Sequence, residues 1–206
     1  MKFGIFLLMQ SPDMLPSSEI YRNALEQAQM ADQLGFDYVV AAEHHFSSYG
    51  FLPNPLMLIA TLAQHTKQVR FSTAVVVLPL RNPIQTAEEI AMLDVISGGR
   101  ILSGFVRGIG IETWANNTNP VYNRERFEEC HDLIIKTWTT PGPFRWEGKH
   151  YQYRAVNPWM LPIQQPHPPV WVTMGSAGSA AQVAQRKHVG AVFLAGYSNI
   201  RRLFDG

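Results

Sequence analysis

Residues 3–9, FGIFLLM, form a strand-length run without a polar side chain. A strand with one wet face alternates in polarity, so an unbroken run of this kind belongs to a parallel strand covered on both faces. The pattern recurs in FDYVVAA (36–42), VRFSTAVVVLP (69–79), RILSGFVRG (100–108), PVWVTM (169–174) and GAVFLAG (190–196), which makes six strands in all. Helical stretches separate them. Ser17 or Ser18 is placed to cap a helix in which Ile20, Ala24 and Ala28 share a face and which Gly35 stops. Pro55 opens a second, with Leu56, Ile59 and Ala63 facing in, and Asn82–Pro83 open a third that ends at Gly98–Gly99. Residues 123–139 give a fourth with Phe127, Cys130, Ile134 and Trp138 on its inner face, and Ser176–Lys187 a fifth. Strands alternating with helices predict right-handed βαβ units around a parallel sheet.

The segment from Pro141 to Pro169 breaks the rhythm. It holds half of the chain's 14 prolines and a hairpin-like FRWEGKHYQY, and reads as an excursion (141–169) over the carboxyl-terminal rim of the sheet. Trp114, Trp159, Trp171 and Met174 read as core or pocket wall, with core favoured. With 206 residues and 46% hydrophobic content the chain can bury one core, so residues 1–206 read as a single domain. The 17 basic and 16 acidic residues nearly cancel, which argues against duplex nucleic acid or an anionic membrane as partner and for small-molecule chemistry. The single cysteine, Cys130, forbids an internal disulfide, and neither a membrane-length apolar run nor a cleavage site follows the first strand; the expectation is a cytoplasmic protein.

Two architectures suit this order: an open doubly wound sheet and a (β/α)8 barrel, which takes eight units where six are read here. No glycine-rich dinucleotide fingerprint follows the first strand, which weakens the open sheet. In either case ligands bind beyond the carboxyl ends of the strands. The polar residues there are Gln10, then Glu43–His44–His45, then Arg107, then GSAGS (175–179). Neighbours in extended chain point to opposite sides, so His44 and His45 diverge, while Glu43 and His45 share a side. The spacing matches no zinc pattern, and no metal is expected. One imidazole aimed into a pocket suits proton transfer near neutral pH. Arg107, followed by Gly108 and Gly110, can bind a phosphate bidentately. The small hydroxyl residues at 175–179 open a helix whose first N–H groups suit an anion. Ordinary readings compete: a surface ion pair for Arg107, plain capping for Ser176. Together on one rim, beside a histidine, these features point to a phosphorylated cofactor.

The stretches MKFGIFLL, GFDYVVAAEHHF, TAVVVLPLRNPIQTAEEIAMLDVISGGR, FVRGIG and RERFEECHDLI resemble, in this order from Met1 to about Ala195, the bacterial luciferase-like flavin monooxygenases. The resemblance implies an α/β fold of the (β/α)8 TIM-barrel type, incomplete here, with about six of eight units present and the chain truncated at its carboxyl end. It implies FMN as cofactor, reduced by a separate flavin reductase, with a deazaflavin as the alternative in the same fold. It makes His44 the catalytic histidine and Arg107 the phosphate-binding arginine. Ser176 and Ser179 fall on hydroxyl positions around that phosphate, and Gly175 replaces an acidic residue of the luciferase catalytic subunit. Ala74–Val75 fall where that subunit has a non-prolyl cis peptide beneath the flavin ring. A second arginine near the phosphate is Arg124 or Arg126. The family's carboxylate that supports the catalytic histidine has no clear match here, Glu112 being near and Thr113 nearer by alignment, and Glu43 and His45 become supporting groups. Val106 stands where the luciferase catalytic subunit has its reactive cysteine. The implied activity is oxidation of a small organic substrate, such as an aldehyde, with O2; the alternative is a flavin-binding chain without catalysis. The resemblance also implies dimers.

Overall fold

The computed structural model describes residues 1–108, 110–193 and 195–205. In chain order the first half comprises β1 (Gly4–Leu7), α1 (Ser17–Gln33), β2 (Tyr38–Ala41), α2 (Pro55–Gln64), β3 (Arg70–Ser72), β4 (Val76–Val77), α3 (Pro83–Ser97) and β5 (Ile101–Val106). The second half adds α4 (Ile111–Ala115), α5 (Asn123–Thr139), a hairpin of β6 (Phe144–Glu147) and β7 (Gln152–Val156), then β8 (Val170–Thr173), α6 (Ala177–Gln185), β9 (Val189–Ala191) and α7 (Tyr197–Asp205). Every pairing in the main sheet is parallel, in the order β1-β2-β3-β5-β8-β9, with β4 continuing β3 alongside β5. The sheet curls. Phe6 of β1 meets Phe193, just past β9, at 5.4 Å between ring centroids, and Tyr38 of β2 meets Trp171 of β8 edge-on at 5.7 Å. These are six consecutive parallel positions of a (β/α)8 barrel.

The core lies between the outer face of this sheet and the helices. Val39, Phe71, Ile101 and Phe105 from the strands pack there with Ile59, Leu62, Ile90 and Ile134 from the helices, all without measurable exposure. The inward positions expected on α1, α2 and α5 are buried, Trp138 among them, whose indole N–H donates to the Ala87 carbonyl. Asn82 caps α3 by accepting from the N–H groups of Ile84 and Gln85, and Gly98 ends it in the left-handed conformation (φ 67°). α1 differs from expectation: it begins at Ser17 without a side-chain cap, because Pro16 occupies the capping position.

The third strand is broken in two. Ser72 pairs with Leu102 and Val76 with Phe105, so four steps along one strand face three along the other. This is a bulge of one residue. Thr73 replaces a rung of the ladder with its side chain: Oγ1 accepts from the Gly104 N–H at 2.9 Å and donates to the Gly104 carbonyl at 3.2 Å. The approach is so close that a Cβ on residue 104 would stand 1.9 Å from the Thr73 carbonyl oxygen, so position 104 requires glycine. The extra residue also inverts the alternation, turning Val76 and Leu78 into the core. Ala74 and Val75 lie half-buried in the bulge. Their peptide bond is trans; among the described residues the cis bond is Gln165–Pro166.

The 141–169 segment packs in two places. Its hairpin is clamped to α5, whose Glu129 accepts from the Trp146 indole and from the N–H groups of His150 and Tyr151. Gln164 then donates to Asp94 at the end of α3 and to the carbonyl of Ile101, the first residue of β5, while Arg70, the first residue of β3, donates to it. The segment therefore ends at the amino-terminal side of the strands, because β8 runs parallel to β5 and must start from there. Trp114 and Trp159 are 80% and 90% exposed, not core, since α4 and the proline-rich return both lie outside the helix-on-sheet packing. Trp171 is half-buried inside the curl and Met174 is buried. The sixth strand is short and ends at Ala191; Leu194, in the expected strand, lies outside the described residues.

Candidate functional site

Beyond β2 the chain leaves the sheet with Glu43, His44 and His45 pointing alternately. Glu43 is 2% exposed and both of its oxygens are engaged. Oε1 lies 3.0 Å from His45 Nε2, and Oε2 accepts from the Val77 N–H at 3.2 Å and from Arg81 Nη2 at 3.0 Å. A buried carboxylate needs such partners, and here they tie the loop after β2 to β4. Glu43 and His45 share a side, as the extended chain dictates.

His44 points elsewhere. Its N–H donates to the Leu52 carbonyl, its ring packs edge-on to Tyr49 at 4.9 Å, and its Nδ1 lies 3.0 Å from Oε1 of Glu112. The carboxylate accepts, so the neutral ring carries its proton on Nδ1 and leaves Nε2 as the acceptor. Gly50 lies against this ring: a Cβ there would stand 2.8 Å from both Cβ and Cδ2 of His44. The carboxylate in contact with His44 is Glu112, while Thr113 faces Asn123.

Glu112 sits on α4, and its neighbour Thr113 accepts a hydrogen bond from Nδ2 of Asn123 at 3.1 Å. α4 thereby joins His44 to a cleft of about 640 Å³ at the carboxyl ends of β5 and β8, between α5 and α6. Arg107, Arg124, Gly175, Ser176 and Ser179 all line it. Arg107 follows β5 directly, and its exposed guanidinium has no hydrogen-bond partner among the described residues. Arg124 is mostly exposed and donates to Glu128 one turn on, whereas Arg126 is half-buried and does not line the cleft.

Ser176 and Ser179 form a reciprocal capping box at the start of α6. Ser176 Oγ accepts from the Ser179 N–H, and Ser179 Oγ accepts from the N–H groups of Ser176 and Gly175. The capping reading of these hydroxyls therefore holds, and the first-turn N–H groups of Ala177 and Gly178 are the ones left without an intrahelical partner. Space over Gly175 and Gly178 is open. Asn123, 8% exposed in the same wall, has an Oδ1 buried without a partner. An anion with donor groups attached suits these features: cationic and N–H donors for the charge, an orphan acceptor for a hydroxyl.

Ala74, Val75, Glu43, His44 and His45 do not line this cleft; they form the part of the rim that α4 connects to it. Among the described residues no group of three or more His, Cys, Asp or Glu side chains is arranged to hold a metal ion. None of their helices is long and apolar enough to cross a membrane. Sequence reasoning missed Gly50, Asn123 and Arg186, the last of which also lines the cleft. Gly50 could have been suspected from a glycine closing a short loop after the histidines; nothing local marks the other two.

Residues 1–202 match the family model described as luciferase-like monooxygenase. The oxygenase component of the flavin-dependent trigonelline monooxygenase of Acinetobacter baylyi is 33% identical over 183 residues, 84% of this chain and 48% of its own length. The crystal structure of monooxygenase RslO1 from Streptomyces bottropensis superimposes with a TM-score of 0.93 at 30% identity, over 100% of this chain and 64% of that one. The oxygenating constituent of the 3,6-diketocamphane monooxygenase of Pseudomonas putida, a type II Baeyer–Villiger enzyme solved with FMN, shares the fold with a TM-score of 0.91 at 22% identity, over 100% of this chain and 60% of that one. The chain spans about half the length of the curated relatives it matches.

Proposed function

Since the chain belongs to the luciferase-like monooxygenase family, we propose that it carries the cofactor-binding and proton-transfer part of an FMN-dependent monooxygenase. Reduced FMN comes from a separate flavin reductase, and O2 and a small carbonyl substrate, aldehyde-like, are the co-substrates. The observation that carries this reading is the joining, through α4, of the His44–Glu112 pair to a cleft holding an unpaired guanidinium. The carbonyl class draws support from the Baeyer–Villiger neighbour, and FMN from the same protein. In this reading the protein is cytoplasmic and works as a dimer.

Arg107 and the N–H groups of Ala177 and Gly178 bind the phosphate, Arg124 adds charge at the mouth, and Asn123 Oδ1 accepts from a ribityl hydroxyl. Ser176, Ser179 and Gly175 hold the helix start in the shape that presents those N–H groups. Ala74 and Val75 give the ring an apolar wall. When bound, the reduced flavin supplies the electrons that activate O2 for transfer of one oxygen atom to the substrate. His44 takes and returns a proton at Nε2, and Glu112 stabilises the imidazolium that results. Glu43, with His45 and Arg81, fixes the loop that carries His44.

The test is a pair of substitutions. His44→Ala should lower product formation by about 10²-fold or more with FMN affinity unchanged, while Arg107→Ala should weaken FMN binding, read by quenching of flavin fluorescence. Equal turnover in His44→Ala removes that residue from the mechanism, and unchanged flavin affinity in Arg107→Ala removes the cleft.

A further inference from the structure

A third cation lies in the cleft wall, paired with two neighbours on α5. Arg186, at the carboxyl end of α6, lines the cleft. Its Nη1 lies 2.9 Å from Nδ1 of His131 and its Nη2 3.1 Å from Oδ1 of Asp132. His131 sits on α5, 3% exposed, beside the rings of Phe105 and Phe127. Its Nε2 is 2.8 Å from Nε2 of His188, which also lines the cleft.

Nδ1 of His131 faces both an obligate donor, Nη1 of Arg186 at 2.9 Å, and a carboxylate acceptor, Oδ1 of Asp132 at 2.9 Å, and can serve one of them at a time. An arginine N–H can only donate, so in the neutral arrangement that holds the guanidinium Nδ1 of His131 accepts from Arg186. The His131 proton is then on Nε2, where it donates to His188, and the His188 proton is on Nδ1. An additional proton has one suitable place, Nδ1 of His131, because Oδ1 of Asp132 stands 2.9 Å from it. With that nitrogen turned into a donor, two N–H groups face each other and Arg186 has to withdraw.

We propose that the His131–His188 pair is a proton-operated latch on Arg186: neutral, it holds the guanidinium in the cleft wall; protonated on His131, it releases Arg186 as a conditional anion-binding group. This rests on the anion-binding reading of the cleft. Anion binding and protonation of His131 then strengthen each other by linkage. The charged and titratable groups facing the pair are Asp132 on α5, Arg186 at the end of α6, and His167 in the segment before β8. Burial depresses both imidazoles, His188 to about 4, and Arg186 and His167 push the same way while Asp132 opposes them. The latch therefore works on the acid side of neutrality.

Sulfate is the probe, since its charge is constant over the range that matters. Calorimetric titrations at about pH 7.5 and about pH 4.5, the lower value set below the ordinary histidine range because burial depresses both imidazoles, in buffers of different ionisation enthalpy, give affinity and protons taken up together. The wild-type chain should bind sulfate several-fold more tightly at the lower pH, with net proton uptake. Arg186→Gln should bind at both pH values with the affinity of the wild type at the higher one, without that uptake. His131→Gln, whose amide oxygen accepts from Arg186 at any pH, should behave the same way. A wild type without tightening or uptake, or a linkage that survives in both variants, overturns the latch. Arg107→Ala tests the cleft itself: it should weaken sulfate at both pH values and keep the proton linkage. Sulfate binding that ignores Arg107→Ala overturns the cleft reading, and absence of sulfate binding overturns both.

Discussion

His44 is held on three sides, by the Glu112 carboxylate at Nδ1, the Tyr49 ring at its edge and Gly50 against its Cβ. Each constraint can be removed alone. Glu112→Gln keeps a hydrogen-bonding oxygen but loses the charge that stabilises an imidazolium, so turnover should fall about 10- to 100-fold, part of the ~10²–10⁴ that a positioned acid–base group contributes, with FMN affinity unchanged. Gly50→Ala keeps both side chains and displaces the ring, since the new methyl would overlap His44 at 2.8 Å; the loss should appear in turnover and in the chemical shifts of the His44 imidazole together. Gly104 answers to backbone instead of to a ring. Gly104→Ala sets a methyl 1.9 Å from the Thr73 carbonyl oxygen, within a ladder that cannot open, and should cost about 4 kcal/mol or more in urea unfolding.

At the scale of elements, signals that act within one turn were legible, and those that depend on a distant partner were not. Asn82–Pro83 and Gly98 bound α3 where local chemistry says they should, and Phe127, Cys130, Ile134 and Trp138 bury the face their spacing implies. The bulge at Thr73–Val75 was invisible, because 69–79 is a uniform run of strand formers and the cause of the break lies across the sheet in Gly104. His44 was legible by its place after β2, and Arg107 by its place after β5. Arg186 was not, because its role depends on His131, 55 residues away. The caps lend themselves to comparison. Asn82→Ala should cost about 1 kcal/mol, the usual worth of such a cap, and leave the cleft alone. Ser176→Ala should cost a similar amount and also weaken FMN or sulfate, because the same turn presents the N–H groups of Ala177 and Gly178.

Taken as a whole, the molecule should lose stability in acid in two stages. The imidazoles of His131 and His188 are depressed in the folded state, so their contribution is full above the ordinary histidine value, about 6.5, and is lost as pH falls toward the folded value of His188, about 4. Burial alone would raise the carboxyls of Asp32 and Glu129. The N–H groups of Val69, Lys67 and Gln68 on Asp32, and the Trp146 indole with the N–H groups of His150 and Tyr151 on Glu129, reverse this and hold both below the usual range. Their contribution is present above the ordinary carboxylate value, about 4, and is lost as pH falls further. Urea unfolding free energy should therefore decline from about pH 6.5 to about pH 4 and further below about pH 4, and His188→Gln should flatten the upper decline while leaving the lower one. The one-residue slip between β3–β4 and β5 has a consequence for recombination with relatives. Residues 70–77 and 101–106 have to be exchanged together, because the bulged strand requires a glycine opposite Thr73. Chimeras should be built with breakpoints in the loops outside both segments.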